Sequence, residues 1–265
     1  MFAIVTGLLL AAVPSAPATT FTVPNAAPEG PGSLRDAVQQ ANADSLTSDT
    51  IVFAIPGTGP HTITLTSATG STIHVGAPVL IDATTQNGYQ PWRPAVKILV
   101  EQEVPVETFT GVGCLFLHGG HTTVRGLAFE NRDFYALIPS TDGNDRIEAC
   151  VFGGDDPAAS GYGYPYISLY FSPGTVIGSA VPGMGNLFKN CFTECISMVT
   201  VDDVAVIGNY FGLDPVNSTV YRCARTAVSM QDTYRCRIGG SGPGERYIIA
   251  GSDVGVYISG DPSIR

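Results

Sequence analysis

Apolar and polar residues alternate along most of the chain in short runs. His61–Leu65 and Val96–Val100 each place an apolar side chain at every second position, and Asp49–Phe53 and Val79–Asp82 are similar apolar runs. A period of two residues predicts β-strands with one buried face. Turn-forming residues interrupt these runs, and 31 glycines and 19 prolines leave no room for long helices. The pattern therefore predicts an all-β chain of short strands joined by turns.

The strand pattern also recurs along the chain. Thr175–Met198 is echoed 61 residues later by Cys236–Ser259. A shorter echo relates Val124–Phe129 to Ile147–Phe152, a shift of 23 residues, and Val206–Phe211 has the same shape. If one turn of a solenoid takes ~20–23 residues, the longer shift is about three turns. We expect roughly ten turns, each adding one strand to each of about three sheets at ~4.8 Å per turn.

A coil of parallel strands stacks equivalent side chains above one another. We expect one interior column to hold Val124, Ile147 and Val206. A second column is expected to hold the aromatic residues Phe129, Phe152 and Phe211.

One helix is predicted, near the N-terminus at residues 33–42. Ser33 and Asp36 have the spacing of a capping box. The following apolar residues Leu34, Ala37, Val38 and Ala41 fall on one helical face. Such a helix would cover the open end of the coil. No comparable cap is predicted at the C-terminal end. Its tail folds over the last coil, another chain covers it, or further sequence follows.

Residues 1–18 are predicted to be an export signal. The apolar stretch Phe2–Val13 ends at Pro14, and Ala16-Pro17-Ala18 has the small-x-small pattern of a cleavage site. The apolar stretch is too short to span a membrane, so no membrane span is expected in the mature chain. Residues 19–265 are predicted to form a single domain that is secreted or held at the cell surface.

Six cysteines agree with an oxidising compartment: Cys114, Cys150, Cys191, Cys195, Cys223 and Cys236. All six are candidates for disulfides, and the sequence does not choose among the pairings. Asn217-Ser218-Thr219 is a glycosylation acceptor pattern if the source is eukaryotic.

Charge is scarce and acidic. Lysine and arginine total 13 against 23 aspartates and glutamates, a net charge of −10, and the two lysines are Lys97 and Lys189. No basic stripe is present, which excludes nucleic acid as a partner.

Two segments carry a family resemblance. Gly32–Asn42 followed by Asp49–Phe53 resembles the N-terminal module of secreted bacterial right-handed parallel β-helix proteins, of the pectin-lyase-like superfamily. Val206–Pro215, followed by Ile238-Gly239-Gly240, is similar to the repeat of those proteins. The resemblance implies an all-β, right-handed parallel β-helix with a short capping helix. It implies less about activity, because the family includes surface proteins, polysaccharide lyases and hydrolases.

Carboxylates supply the candidate chemistry. Hydrolysis of a glycoside requires two carboxyl groups, and the candidate catalytic residues are the pairs Asp155-Asp156 and Asp202-Asp203. A lyase would need clustered acids for calcium, for which the candidate ligands are Asp142, Asp145, Asp155 and Asp156. Each of these aspartates is also a residue type that commonly ends a turn. No cofactor is required by the sequence, and calcium is the one it suggests.

Three tyrosines form the candidate glycan-binding set. On an extended strand Tyr162, Tyr164 and Tyr166 would point to one side, where exposed rings can stack on sugars. Alternatively, the loop folds back and the rings cover the flank of the coil.

We therefore predict an exported, non-catalytic surface or matrix protein that binds polysaccharide or another glycan, assembles with itself through its C-terminal end, or does both. The alternative is a carbohydrate-active enzyme, a lyase or glycoside hydrolase of acidic polysaccharide.

Overall fold

A computed structural model describes residues 17–43, 48–101, 113–131, 135–139, 142–155 and 164–260, and these residues form twenty-two short strands and one α-helix. The predicted export signal therefore lies almost wholly outside the described residues. The strands form three sheets, and the pairings between them are parallel.

The first sheet has eight strands: β1 (Thr20–Val23), β2 (Asp49–Phe53), β5 (Val79–Asp82), β8 (Thr123–Arg125), β11 (Arg146–Glu148), β14 (Val176–Gly178), β17 (Ala205–Ile207) and β20 (Arg237–Ile238). The second has seven: β3 (His61–Thr66), β6 (Val96–Glu101), β9 (Leu127–Asn131), β12 (Val151–Phe152), β15 (Leu187–Phe188), β18 (Tyr210–Phe211) and β21 (Ile248–Ile249). The third also has seven: β4 (Ile73–Val75), β7 (Gly113–Leu117), β10 (Tyr135–Pro139), β13 (Ile167–Tyr170), β16 (Glu194–Val199), β19 (Cys223–Gln231) and β22 (Ser252–Ser259).

The chain visits the three sheets in turn, and each strand pairs with the strand of the same sheet in the next coil. This topology is a parallel β-helix and confirms the predicted fold class.

Coil length differs from the prediction. In the first sheet the successive partners are Val124, Ile147, Ile177, Val206 and Ile238, so these coils take 23, 30, 29 and 32 residues. The 61-residue repeat is therefore two coils, and the prediction of three was wrong. The added residues lie in the connections between sheets. Ser179–Asn186 joins β14 to β15, whereas Gly126 alone joins β8 to β9. For the same reason the described residues form about eight coils, as the eight strands of the first sheet show, and not ten.

The interior columns are as predicted. Val124, Ile147 and Val206 occupy one column and are fully buried. The aromatic column also includes Phe188, between Phe152 and Phe211. From Phe129 to Phe211 the successive ring centroids are 5.2, 4.8 and 4.7 Å apart and the rings are nearly parallel. Each ring therefore packs flat on the next along the axis of the coil.

The helix α1 (Leu34–Asn42) begins as the capping box predicts. The Ser33 hydroxyl accepts a hydrogen bond from the Asp36 backbone N–H at 3.1 Å, and the Asp36 carboxylate accepts one from Gly32 N–H at 2.8 Å. Its four predicted apolar residues are buried, and the helix packs against β1, β2 and β4 at the first coils. Among the described residues no helix has the length and apolarity needed to cross a membrane.

Turns between the first and second sheets depend on glycine and asparagine. Gly178 ends β14, and Gly208 and Gly239 follow β17 and β20; their φ values are 95°, 64° and 73°, a region that favours glycine. The buried Asn186 and Asn209 occupy equivalent positions one coil apart. The Asn209 carboxamide oxygen accepts from Asn186 N–H at 3.1 Å, and its nitrogen donates to Ile177 C=O at 2.9 Å. These contacts satisfy backbone groups that a buried turn would otherwise leave unpaired.

Candidate functional site

A long loop crosses the outer face of the second sheet. We call it the strap; it comprises Gln86–Ala95 and joins the short 3₁₀ helix η1 (Ala83–Thr85) to β6. Beneath it lie Ala128, Val151 and Leu187, outward residues of three successive strands that are nevertheless buried. The strap therefore gives this flank of the coil a small second core.

Trp92 packs the strap onto the sheet. Its indole N–H donates to Gly185 C=O at 3.1 Å, and its ring meets Tyr210 edge to face with the centroids 5.5 Å apart. Tyr210 lies in β18, four strands from β6, so the strap reaches on the order of 19 Å along the coil axis.

An ion pair provides a second contact that anchors the strap. The Arg93 guanidinium lies 2.6 Å from the Asp214 carboxylate, which is 1% exposed. At the start of the strap, the buried Gln86 side chain exchanges two hydrogen bonds with the backbone of Ile55, both at 2.8 Å. The strap is therefore held at both ends by polar contacts.

A groove opens beside the strap, and we call it the flank groove. It encloses about 520 Å³. The residues that line it come from the strap, from the connection between β2 and β3, from outward positions of β6, β9 and β12, and from the connections after β12, β15 and β18. They are Thr58, Gly59, Pro60, Gly88, Gln90, Trp92, Arg93, Pro94, Ala95, Lys97, Ala128, Glu130, Val151, Gly153, Asp155, Lys189, Asn217 and Tyr221.

Both lysines of the chain line this groove, and each pairs with a carboxylate that also lines it. The Lys97 ammonium is 2.8 Å from Glu130. The Lys189 ammonium is 2.7 Å from Asp155, and Lys189 is 8% exposed as a whole residue. The flank groove therefore holds two lysine–carboxylate ion pairs.

Asp155 connects the groove to an aromatic ring. The Tyr221 hydroxyl donates to the Asp155 carboxylate at 3.2 Å, and the Lys189 ammonium lies 5.2 Å from the centre of the Tyr221 ring. The hydrogen bond from Lys189 is the main cause that lowers the pKa of Asp155. Burial, together with the negative charge of Asp155, raises the pKa of Tyr221. The groove therefore places the Asp155 carboxylate, the Lys189 ammonium group and the Tyr221 phenol in mutual contact.

The structure separates the predicted catalytic pairs. Asp155 lines the flank groove, and Asp156 lies outside the described residues. Asp202 and Asp203 lie at another corner of the coil, between the third and first sheets, where the Arg235 guanidinium contacts them at 3.3 and 2.8 Å. Asp155 therefore does not share a site with Asp202 and Asp203.

The candidate calcium ligands are separated in the same way. Asp142 and Asp145 precede β11, whereas Asp155 follows β12. Asp145 is 1% exposed, and one carboxylate oxygen accepts from Thr122 N–H at 2.9 Å while the other has no hydrogen-bond partner among the described residues. Burial, with a smaller contribution from Asp142, raises the pKa of Asp145 to about 7. Calcium binding by these residues stays a prediction.

The tyrosines do not form an exposed row. Tyr162 lies outside the described residues. Tyr164 is half-buried, with its ring 5.1 Å from that of Tyr135. Tyr166 is 6% exposed, and its hydroxyl donates to the backbone carbonyls of Lys189 and Asn190 at 3.0 and 3.2 Å. Tyr166 is thus part of the core and cannot stack on a sugar.

Among the cysteines, the sulfur atoms of Cys191 and Cys195 lie at disulfide distance. Cys114, Cys150 and Cys223 are buried, and Cys236 is half-buried. The glycosylation candidate Asn217 is exposed at the rim of the flank groove. In β22, Tyr257 and Ile258 are 53% and 71% exposed, and assembly through the C-terminal end stays a prediction.

Sequence reasoning missed most of this site. Glu130, Tyr221, Trp92 and the Arg93–Asp214 pair were not predicted as site residues. Two signals were present: the two lysines of the chain, and a loop that holds its one tryptophan. Neither signal alone shows that the loop folds over distant coils.

The chain matches no protein-family model, and a search among curated proteins finds no significant match. The fold and the groove geometry therefore carry the functional argument.

Proposed function

We propose that this protein is an exported, non-catalytic β-helix protein that binds glycan chains in the flank groove. The observation that carries the proposal is the convergence of both lysines, each paired with a carboxylate, beside Tyr221 in an open groove. The disulfide-distance cysteine pair supports export, because such bonds persist in oxidising compartments.

The chemistry of the groove suits sugar hydroxyls, which both donate and accept hydrogen bonds. Glu130 and Asp155 offer charged acceptors, and Lys97 and Lys189 offer charged donors. Hydrogen bonds to charged groups contribute about 1.5–3 kcal/mol each, more than neutral ones. Trp92 and Tyr221 also line the groove and add aromatic surface that sugar rings can contact.

The same contacts argue against hydrolysis. A glycoside hydrolase needs one protonated carboxyl group as general acid, with a pKa raised toward neutrality. Of the two carboxylates among the described lining residues, Glu130 is ion-paired and Asp155 has a lowered pKa. The Lys189 side chain is held against Asp155 in an ion pair, which argues against its acting as the base that a lyase requires.

Binding can be tested by isothermal titration calorimetry with a panel of neutral and uronic-acid oligosaccharides. We expect at least one oligosaccharide to bind, and Lys97→Gln and Tyr221→Ala to weaken it at least tenfold. Arg235→Gln is the matched control, since it also removes one cation but lies at another corner of the coil. Equal affinity for all three variants would place binding outside the groove, and no binding across the panel would contradict the proposal.

A product assay distinguishes the enzyme alternative from the binding proposal. The same panel, incubated with the protein with and without calcium, is expected to release neither new reducing ends nor unsaturated sugars. Release of either product, lost in Asp155→Asn, would replace the binding proposal with a catalytic one.

A further inference from the structure

Three cysteine sulfurs meet in the core beside the second half of the coil. The Cys223 sulfur lies 3.6 Å from the sulfur of Cys195 and 3.6 Å from that of Cys191. All three sulfurs lie within 4.8 Å of one another. The three residues are 2%, 0% and 0% exposed for Cys191, Cys195 and Cys223. Cys223 is therefore already in contact with the bonded pair.

The strand order explains why the three cysteine sulfurs lie together. Cys191 lies in the turn after β15, Cys195 in β16 and Cys223 at the start of β19, which pairs with β16 one coil later. The pairing of β19 with β22 is irregular between Cys223 and Thr226. The cluster thus contains one local pair, Cys191 and Cys195, and one cysteine from the adjacent coil.

We propose that Cys191, Cys195 and Cys223 form one exchange unit, in which a single disulfide can join any two of the three sulfurs. In the exchange step, the Cys223 thiolate attacks the sulfur of Cys195 or Cys191. A new bond to Cys223 forms, the Cys191–Cys195 bond breaks, and the displaced cysteine leaves as a thiolate. The step is neutral in electrons and needs no external oxidant.

The alternative bonds differ in what they connect. The Cys191–Cys195 bond closes a loop with a sequence separation of 4. A bond from Cys223 spans 28 or 32 residues and joins adjacent coils, and longer loops gain more stability from a disulfide. Burial raises the pKa of the Cys223 thiol to about 11, so the folded chain holds it mainly as a thiol. The choice of bond is therefore made during oxidative folding or opening of the coil.

Trypsin separates the three cysteines by mass. Cleavage after Lys189, Arg222 and Arg225 leaves Cys191 and Cys195 in one peptide and Cys223 in the tripeptide Cys223–Arg225. The chain is refolded in a glutathione redox buffer, quenched in acid, alkylated while denatured and digested without reduction. Mass spectrometry then measures how much tripeptide is alkylated and how much is joined to the larger peptide.

The proposal predicts both forms of the tripeptide in the wild-type chain. It also predicts that Cys191→Ser and Cys195→Ser each move most of the tripeptide into the joined form, through the remaining cysteine. The two variants and the wild-type chain test the proposal independently of one another, and circular dichroism checks that each is folded. In the control C191S/C195S, Cys223 is expected to be alkylated.

Three results would overturn the proposal: a wild-type tripeptide that is alkylated throughout, folded single variants in which Cys223 is alkylated, or a double variant in which Cys223 joins a cysteine outside the cluster. None of these results bears on glycan binding.

Discussion

Asp145 gives the sharpest quantitative test of the structure. It is almost fully buried in the turn before β11 and forms no ion pair with the residues that the structure describes, and burial raises its pKa from 3.8 to about 7. A group with a folded-state pKa above its unfolded value stabilises the fold below the unfolded pKa, and this contribution is lost as pH rises through the folded pKa. The contribution of Asp145 to stability should therefore increase as pH falls from about 7 to about 4.

The magnitude follows from the two pKa values. One unit corresponds to about 1.4 kcal/mol, so ionised Asp145 costs up to about 4 kcal/mol of unfolding free energy above pH 7. In Asp145→Asn the carboxamide oxygen still accepts from Thr122 N–H, and the pH-dependent cost disappears. Its NH₂ group is buried without a partner, which costs about 1–3 kcal/mol at every pH. We expect the variant to be more stable than wild type by about 1–3 kcal/mol at pH 8, and no more stable at pH 4.5.

Urea denaturation followed by far-UV circular dichroism measures this difference across pH 4.5–8. Asp142→Asn is the control, because it removes an exposed carboxylate from the same turn and should retain most of the pH dependence. Parallel pH profiles for wild type and Asp145→Asn would show that Asp145 titrates near its ordinary pKa, and the reasoning from burial would be refuted.

Three further changes test the packing by the same denaturation assay. Phe152→Ala should lower the unfolding free energy by about 3–5 kcal/mol, because it opens a cavity inside the stacked column. Phe152→Leu should lower it by less, and equal losses for the two variants would argue against stacking. Arg93→Gln should cost about 3 kcal/mol and make the strap sensitive to limited proteolysis, because it leaves the buried Asp214 carboxylate without its cation; an unchanged digestion rate would show that the strap is held without this pair. Asn209→Ala should cost about 2–4 kcal/mol by leaving two buried backbone groups unpaired, and a loss below 1 kcal/mol would contradict the asparagine contacts.

Local pattern was sufficient to predict most of the fold. The capping box at Ser33 and the alternation in each strand are local signals, and the recurring Val/Ile and Phe positions identify columns because a coil repeats its own geometry. Coil length was predicted poorly. Connections such as Ser179–Asn186 lengthen a coil without changing the pattern of its strands, so the short echo at 23 residues was taken as general.

The candidate site could be predicted only in fragments. Asp155 was recognised as a carboxylate, but its partners Lys189 and Tyr221 lie 34 and 66 residues further along the chain. Trp92 reaches Gly185, and Arg93 reaches Asp214, across 93 and 121 residues. Short-range periodicity does not predict which coils the strap crosses, because the path of the strap is set by the packing of Trp92 on the outer face of the sheet.

Fluorescence of Trp92 tests the central claim most directly, because it is the one tryptophan of the chain and it lines the flank groove. We predict that an oligosaccharide identified by calorimetry changes the emission of Trp92 with the same saturation curve, and that Lys97→Gln shifts both curves together. Binding that calorimetry detects while Trp92 emission stays constant would place the glycan elsewhere on the molecule and contradict the account.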